Sequence, residues 1–402
     1  MTINAGSSSI KLALFSTDSS DTSLERVLEA SITDIGQSTA ALCTHEPPES
    51  EQTQQLVVAD QPTAMKILLD WLIDKLSGRD ISAISHRIVH GGPKYSQPEI
   101  ISENLEKELQ SLASLDPEHA SVSLQLIDTL RQRFPDIPQI ACFDTAFFHD
   151  LPRVAQIVPL PNKYEAQGLR RYGFHGLSYT YLLSAFQEAA GETAANGRII
   201  FAHLGSGASL AAIHNGKPVD TTMSLTPASG LVMSSRSGDL DPGIAWYLHR
   251  QVDMSLENYN HMVNFESGLL GVSGLSSDMH TLLKNEATNE RAAEAISLFC
   301  YQAKKSIGAL VAVLGGLDSL VFSGGIGEQS PVIRERICKG LNFLGIELDA
   351  TNNEQQASLI SASHSGVGVH IIPTDEALVI AKQAINVINQ DTIRVEDGNG
   401  LD

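Results

Sequence analysis

Two arginines stand in segments made otherwise of apolar or small residues. Arg87 lies in the apolar run HRIVHGG (86–92), where a guanidinium is costly to bury unless it meets an anion. Arg236 lies in SSRSGD (234–239), a loop of small residues from which it could reach into a cleft. Two arginines on opposite lobes could straddle a phosphoryl group and offset its charge. A structural ion pair with a carboxylate is the alternative for Arg87.

Two carboxylates and a histidine add to this chemistry. Asp144 follows the apolar run 140–143, where ligand-facing carboxylates lie in open α/β sheets, although a turn or cap residue fits too. Glu376 falls in the first turn of the last helix, which either the helix dipole or magnesium coordination explains. His175, in YGFHG (172–176), either donates to a phosphate or is a structural turn residue.

Three glycine segments are candidate phosphate sites: NAGSSSIK (4–11), HLGSGAS (203–209) and GGIGE (324–328). The first two lie between apolar runs, which predicts a strand, a tight turn and a strand whose N–H groups and hydroxyls can hold an anion. Their similarity indicates two similar lobes facing one polyphosphate. None of the three fits the P-loop or the dinucleotide-binding pattern.

The elements that must position these residues alternate between helices and strands, which predicts two α/β lobes with a cleft between them. Apolar spacing predicts helices over 64–76, 105–115, 122–133, 292–314 and 376–390, and strands over 81–90, 140–143, 198–202 and 320–322. Residues 17–55 predict exposed strands and turns at a lobe's edge. Asp241 and Pro242 predict a helix start, with Asp as N-cap and Pro first in the helix, and Pro331 another.

The domain prediction is a first lobe over 1–150 and a nucleotide-binding lobe over 151–375. The helix 376–390 packs back on the first lobe, and residues 391–402 form a flexible tail. At 402 residues the chain is long enough for two cores.

Composition excludes several classes of protein. The net charge of −20, from 27 basic and 47 acidic residues, disfavours nucleic acid and anionic membranes as partners. The sequence has neither a membrane-length apolar run nor a signal pattern, so we expect a cytoplasmic protein. Four dispersed cysteines without a CxxC pair argue against structural zinc and a disulfide framework.

Taken together, the motifs make the chain resemble the acetate kinase family over nearly its whole length. The matching segments, in the family's order, are NAGSSSIK, HRIVHGG, FDTAFF, YGFHGLS, HLGSGASLAAIHNGKPVDTTMSLTPASGL, SRSGDLDP, GVSGLSSD, SGGIGE and PTDE. The resemblance implies an α/β, two-lobed actin-like ATPase fold with duplicated ribonuclease H-like domains and an interlobe cleft. It implies reversible transfer of the ATP γ-phosphoryl group to a short carboxylate, dependence on Mg²⁺ or Mn²⁺, and a homodimer.

The resemblance also implies residue roles. Arg87, Arg236, Asp144 and His175 would be catalytic, with Arg87 and Arg236 gripping the carboxylate and the phosphoryl group. Asn4 and Glu376 would hold the metal, helped by Asp144. The acyl pocket would be Val89, Leu115, Phe174 and Pro227. The nucleotide would be bound by Lys11, Ser7, Ser9, His203, Leu204, Gly205, Ser206, Gly207, Asp278, Met279, Gly324, Gly325, Ile326 and Gly327.

Three positions depart from the family pattern. Ser206 replaces the usual Asn in HLGNGAS, which leaves room for an unusual phosphate donor, and Asp116 replaces the His of APLH, whose place His119 could take. Gly324 stands where Ala is common.

The resemblance makes acetate the expected substrate, with a propionate or butyrate kinase as the alternative. One methylene group in an apolar pocket discriminates between such substrates by only about 1–3 kcal/mol. A nucleotide-switching ATPase of the same superfamily is a further alternative.

Overall fold

The computed structural model describes residues 1–6, 9–17, 24–36, 39–47, 49–76, 80–113 and 117–398, and for residues 17, 117–119 and 391–398 it gives the backbone alone. The predicted site residues Ser7 and Leu115, and the departure Asp116, lie outside the described residues.

The described chain alternates strands and helices. From the N-terminus to residue 146 these are β1 (Thr2–Ala5), β2 (Ile10–Thr17), β3 (Leu24–Thr33), β4 (Ala41–His45), β5 (Gln52–Gln55), α1 (Gln61–Leu76), β6 (Ile84–Ile88), β7 (Glu99–Ile100), α2 (Glu103–Leu112), α3 (Pro117–Arg133) and β8 (Gln139–Phe143). A 3₁₀ turn over Ala146–Phe148 follows.

The next elements are α4 (Arg153–Gln156), α5 (Gly176–Ala190), α6 (Glu192–Ala195), β9 (Arg198–Leu204), β10 (Ala208–His214), β11 (Lys217–Thr221), α7 (Gly243–Val252), α8 (Leu256–His261), α9 (Gly268–Ser273), α10 (Met279–Asn285), α11 (Glu290–Leu314), β12 (Ser319–Ser323), α12 (Gly324–Gln329), α13 (Pro331–Cys338), α14 (Ala350–Glu354) and β13 (Gly368–Ile371). The last helix is α15 (Glu376–Gly398).

The chain forms two compact units. Unit 1 comprises Met1–Ala146 and Asp375–Asp402, and unit 2 comprises Phe147–Thr374. Each unit has its own β-sheet and its own buried apolar clusters. Helix α15 thus belongs to the same unit as the N-terminal strands.

The sheet of unit 1 has the strand order β5-β4-β3-β2-β1-β6-β8-β7. Strands β1, β6 and β8 run parallel, so their carboxyl ends meet at one edge, the usual place for ligand-binding residues in such sheets. Strand β8 (QIACF) is buried along its whole length, which explains its continuous apolar character. Of the exposed edge strands predicted over residues 17–55, only β5 is an edge strand with fully exposed residues. Strands β3 and β4 instead place Leu28, Ala30, Ile32 and Leu42 in the buried core, so the prediction of exposure was wrong for them.

The sheet of unit 2 has the order β11-β10-β9-β12-β13. Strands β9 and β12 pair in parallel, with Ser323 opposite His203, so the second and third glycine segments both follow the carboxyl ends of neighbouring strands. The 25-residue helix α11 packs a row of apolar residues inward. The side chain of Asn289 caps its first turn, and Gly315, at φ 71°, ends it in the left-handed conformation that glycine adopts without strain.

Three sequence predictions differ from the structure. Pro242 is the cap residue of α7 rather than its first helical residue, and Asp241 accepts a hydrogen bond from the Gly243 N–H at 2.6 Å. The GGIGE segment is the short helix α12 rather than a plain turn. The last helix continues through Gly398, beyond residue 390 where a tail was expected. Among the described residues, no helix is long and apolar enough to cross a membrane.

Candidate active site

The first glycine segment forms the predicted hairpin, in which β1 and β2 pair antiparallel and Asn4 lies opposite Lys11. The Gly6 N–H donates to the Ser9 carbonyl at 2.8 Å and closes the turn. Lys11 is exposed and Ser9 is half-buried, so both can meet a ligand.

Asn4 joins this hairpin to the last helix of unit 1. Its amide Nδ2 donates to Glu376 Oε2 at 2.6 Å, and its Oδ1 accepts from Arg87 Nη1 at 3.2 Å. Asn4 lies near the end of β1, Arg87 near the end of β6, and Glu376 begins α15. The hydrogen bond between Asn4 and Glu376 thus joins two residues that are 372 positions apart in the sequence.

Arg87 and Asp144 form a buried ion pair. Arg87 donates from Nε and Nη2 to Asp144 Oδ2 at 2.9 and 2.5 Å. The Asp144 side chain is fully buried, whereas that of Arg87 keeps 15% of its surface exposed. The Asp144 N–H donates to the Ile88 carbonyl at 2.9 Å, which ties the end of β8 to that of β6. Arg87 therefore has the carboxylate partner considered in the sequence analysis, and that partner, Asp144, is itself one of the four residues predicted to be catalytic.

We call Asn4, Arg87, Asp144 and Glu376 the unit 1 cluster. Two carboxylates and one amide oxygen are hard oxygen donors of the kind that Mg²⁺ prefers, and this ion completes its octahedron with waters and substrate phosphates. The described residues include no group of three or more His, Cys, Asp or Glu that could hold a metal alone. The cluster therefore fits a magnesium ion that substrate would hold in part, and the role of Glu376 and Asn4 as its protein ligands stays a prediction.

An apolar cavity lies in unit 1 at the end of β6, the strand that carries Arg87. Its volume is about 20 Å³, room for one water-sized group. Its lining consists of Ile88, Val89, His90, Leu109, Leu112, Ala120, Ser123 and Leu124. Of the four predicted acyl-pocket residues, Val89 lines this cavity, while Phe174 and Pro227 belong to unit 2.

The predicted residues of unit 2 converge on Gly207. A Cβ atom placed on Gly207 would lie 3.1 Å from His175 Nε2 and 3.6 Å from Arg236 Nη1. Arg236 Nη1 also donates to the Pro227 carbonyl at 3.3 Å, so four predicted residues share one neighbourhood. Because Gly207 has no side chain, the space next to His175 Nε2 and Arg236 Nη1 stays open. Whether Arg236 and Arg87 meet one ligand stays a prediction, since they belong to different units.

Two histidines lie stacked next to this glycine. The rings of His175 and His203 have their centroids 4.4 Å apart, and His175 Nδ1 lies 2.8 Å from Ser209 Oγ. His175 precedes α5 with φ at 60°, an uncommon left-handed conformation for a residue other than glycine. Such local strain persists where the surrounding structure holds it, often at functional sites.

The second glycine segment is a hairpin between β9 and β10, as predicted, closed by a bond from the Gly205 N–H to the Gly207 carbonyl at 3.0 Å. Leu204 is buried, whereas Ser206 is exposed and its carbonyl accepts from the Ser234 N–H at 3.1 Å. That bond connects the hairpin to the loop that carries Arg236.

The third segment packs against the second. Gly324 has φ +74°, and a Cβ there would lie 2.7 Å from the Leu204 carbonyl oxygen. The Gly324 N–H donates to Glu328 Oε1 at 2.7 Å, so the segment's own carboxylate holds its first residue. Gly325 faces open space, Ile326 is half-buried and Gly327 is buried.

Sequence analysis missed the residue that braces this segment. Arg334 is fully buried on α13 and donates from Nη1 to the carbonyls of Gly327 and Glu328, both at 2.8 Å, and from Nε and Nη2 to Asn353. Burial lowers the pKa of its guanidinium to about 10. In sequence, Arg334 looks like one of the charged residues on an ordinary amphipathic helix, and no local signal marks it.

Asp278 and Met279 begin α10. Although burial opposes its charged form, hydrogen bonds from Thr281 and His280 hold the pKa of Asp278 below its usual value. The Asp278 carboxylate accepts from the Thr281 N–H at 2.9 Å and so caps the helix, and Met279 is buried. A role for these two residues beside adenosine stays a prediction.

Comparisons with known proteins identify the family of this chain. The family model described as the Acetokinase family matches residues 1–382. An acetate kinase of Rhodopseudomonas palustris is 40% identical over 385 residues, 95% of this chain and 96% of that protein. A propionate kinase of Citrobacter rodentium is also 40% identical, over 397 residues, 98% of this chain and 97% of its own length.

Solved structures match as well. The crystal structure of Porphyromonas gingivalis acetate kinase has a TM-score of 0.82 at 34% identity and covers 96% of this chain and 98% of its own. That of a propionate kinase from Francisella tularensis has a TM-score of 0.86 at 32% identity, with coverages of 95% and 97%. The predicted actin-like ATPase fold class is confirmed by these matches.

Proposed function

The chain belongs to the acetokinase family and is a kinase of short-chain carboxylates, and we propose that its reaction is ATP + acetate ⇌ ADP + acetyl phosphate. The phosphoryl group moves in line from the γ position of ATP to a carboxylate oxygen. The observation that carries this proposal is the unit 1 cluster, in which a guanidinium, two carboxylates and an amide oxygen meet at the carboxyl ends of parallel strands.

The chemistry requires little acid or base catalysis. A carboxylate is already ionised at neutral pH, so the obstacle is the repulsion between acetate and the phosphates. Arg87 supplies positive charge and fixed N–H donors to the carboxylate, while Asp144 holds its guanidinium in place. Magnesium, when bound, would neutralise the phosphate oxygens.

The residues around Gly207 suit the phosphoryl group. Arg236 and His175 place N–H-bearing groups on either side of an open glycine, where they would stabilise charge on the phosphoryl oxygens in the transition state. We propose that His203–Gly207, Lys11, Ser7 and Ser9 bind the phosphates, and that Gly324–Gly327 with Asp278 and Met279 bind the adenosine.

The acyl group is proposed to lie in a small apolar pocket that includes Val89, Leu115, Phe174 and Pro227. The cavity beside Val89 is small and apolar, which supports a short acyl group. The equal identity to an acetate kinase and to a propionate kinase keeps propionate as the second candidate.

We also propose a homodimer in the cytoplasm. Apolar side chains lie exposed along α7 and α8, with Trp246 68%, Tyr247 62%, Val252 61% and Leu256 76% accessible. An apolar patch of this kind marks a surface that another protein covers. Sedimentation of the wild type and of Leu256→Glu tests it, because a charge in such an interface would yield monomers.

The function itself is tested by trapping acyl phosphate with hydroxylamine. Purified protein receives Mg²⁺, ATP and acetate, propionate or butyrate in parallel, and kcat/KM is compared across the three. The proposal expects acyl hydroxamate with the highest kcat/KM for acetate. Higher kcat/KM for propionate would make the second candidate correct. ATP hydrolysis that no carboxylate stimulates, without hydroxamate, would instead favour a nucleotide-switching ATPase.

A further inference from the structure

We infer that Ser209 and Tyr179 are positioning residues that hold His175 in the tautomer whose Nε2 carries the proton and faces the transferring phosphoryl group. The inference rests on the proposed function, because it concerns how His175 meets phosphoryl oxygens. Ser209 ends the second glycine segment, but sequence analysis gave neither Ser209 nor Tyr179 an individual role.

The three groups form a continuous hydrogen-bonded row. His175 Nδ1 lies 2.8 Å from Ser209 Oγ, and Ser209 Oγ lies 2.5 Å from the Tyr179 hydroxyl. Ser209 and Tyr179 are fully buried and His175 is 8% exposed. Ser209 lies in β10 and Tyr179 in α5, one helical turn after His175, so the row spans two rigid elements. We call it the hydroxyl relay.

Counting protons shows that the hydrogen bonds of the relay can run in one of two directions. Each hydroxyl has one proton to donate, and a neutral imidazole has one N–H and one acceptor nitrogen. If Tyr179 donates to Ser209 and Ser209 donates to His175 Nδ1, the imidazole proton must be on Nε2. In the reverse order Nδ1 is the donor and Nε2 presents a lone pair. Only the first order offers an N–H to an anionic phosphoryl oxygen.

The surroundings of Nε2 place it where the phosphoryl group is proposed to lie. Nε2 is the ring atom nearest to the Cβ that Gly207 lacks, at 3.1 Å, and the same point is 3.6 Å from Arg236 Nη1. The stacked ring of His203, 4.4 Å away, restricts tilting of the imidazole. In the first order, which an anionic phosphoryl oxygen favours, the hydroxyl relay holds the proton on Nε2, and the stack helps fix the plane of the ring.

Two variants test the relay. Ser209→Ala removes the group bonded to Nδ1, and Tyr179→Phe removes only the hydroxyl while keeping the ring that packs against Phe148. Partners that orient a metal-binding histidine contribute about 10- to 100-fold, and we take this as the scale for His175. We expect a decrease of this size in kcat for Ser209→Ala and a smaller one for Tyr179→Phe, with KM for acetate and ATP changing much less than kcat.

Matched controls remove comparable hydroxyls elsewhere. Ser184→Ala deletes an exposed serine hydroxyl on α5, the helix that carries Tyr179, and Tyr301→Phe deletes an exposed tyrosine hydroxyl on α11. Both should keep the wild-type kcat. Thermal unfolding of all four variants is measured alongside, and if Ser209→Ala does not fold, Tyr179→Phe decides.

A spectroscopic measurement reports the tautomer directly. Nitrogen-15 NMR of histidine-labelled protein, with the His175 signals assigned by their loss in His175→Asn, should show an Nε2–H imidazole in the wild type and a shift toward Nδ1–H in Ser209→Ala. An Nδ1–H wild type, or both relay variants within about twofold of wild-type kcat, would overturn the inference. Absence of wild-type activity on every carboxylate would instead refute the proposed function, while the NMR result would still test the relay.

Discussion

The two glycine hairpins look alike in sequence, yet the side chains around them are held by different forces. Around the first, the unit 1 cluster is a charged network in which Asn4 bridges Arg87 and Glu376, and Arg87 is paired with buried Asp144. Around the second, the contacts include a hydrogen bond between His175 and the Ser209 hydroxyl, and contacts of Arg236 with the Pro227 carbonyl and the Met233 sulfur. The two hairpins therefore differ in one observed respect, the fully buried carboxylate that is paired with an arginine beside the first.

This difference predicts that removing Arg236 and breaking the Arg87–Asp144 pair will have different effects on kcat and on the free energy of unfolding. Arg236→Ala should lower kcat about 10³-fold or more, because arginines that stabilise a transferring phosphoryl group contribute on this scale. The free energy of unfolding should fall less than in Asp144→Ala, because only the latter leaves a guanidinium without its fully buried carboxylate. Steady-state kinetics and urea unfolding check both statements. Arg198→Ala, which removes an exposed arginine paired with Asp318 in the same unit, is the control and should keep full activity. A folded Arg236→Ala with near-native kcat contradicts the role proposed for it.

In unit 1, activity and stability should fall together. Asp144→Ala leaves the guanidinium of Arg87 without its buried carboxylate, and breaking a buried pair from one side costs about 3–5 kcal/mol. We expect a decrease of this order in the free energy of unfolding, measured with urea, and loss of kinase activity.

The double variant Arg87→Met/Asp144→Leu separates the two effects. Replacing both partners of a buried pair by apolar residues is often neutral for stability, so the double variant should unfold closer to wild type than Asp144→Ala does, yet remain inactive. An active double variant would show that the ion pair serves the fold alone.

The strand that carries Arg87 also makes unit 1 sensitive to acid. His86 is fully buried next to Gln139, with His86 Nε2 2.6 Å from Gln139 Oε1, and burial lowers the pKa of His86 from 6.5 to about 4. Between these values the unfolded chain binds a proton that the folded chain does not. The contribution of neutral, buried His86 to the free energy of unfolding is therefore fully present above about pH 6.5. It is lost as the pH falls to about 4, by about 3 kcal/mol in total.

Urea unfolding of the wild type and His86→Gln at pH 7 and pH 4.5 isolates this contribution. The wild type should lose more stability than the variant between the two pH values, since only the wild type has a buried imidazole to protonate. Equal losses would mean that other groups produce the acid sensitivity.

Particular residues explain what could be predicted from the sequence. Arg87 was identifiable because a charge stood in an otherwise apolar strand, and the glycine segments because small residues stood between apolar runs. Asp144 was identifiable because it follows a buried strand, at the edge of the sheet where ligand-binding residues lie. The Asn4–Glu376 bond could not be derived in this way, because it joins residues from opposite ends of the chain. Arg334 and the hydroxyl relay were missed because ordinary helix and strand residues gain their roles only from tertiary contacts. The extension of α15 to Gly398 was missed because its polar composition indicated a tail.

The smallest expected effect concerns the backbone of unit 2 at Gly324. Here φ is +74° and a Cβ would lie 2.7 Å from the Leu204 carbonyl oxygen, so Gly324→Ala strains the contact between the second and third glycine segments. A strained residue of this kind costs about 1–3 kcal/mol. Gly325→Ala is the matched control, since a Cβ there meets nothing within 4 Å. We expect Gly324→Ala to lower the free energy of unfolding and raise the KM for ATP, whereas Gly325→Ala changes stability little. If both variants behave alike, the backbone of this segment adapts, and the precise fit inferred between the two glycine segments is wrong.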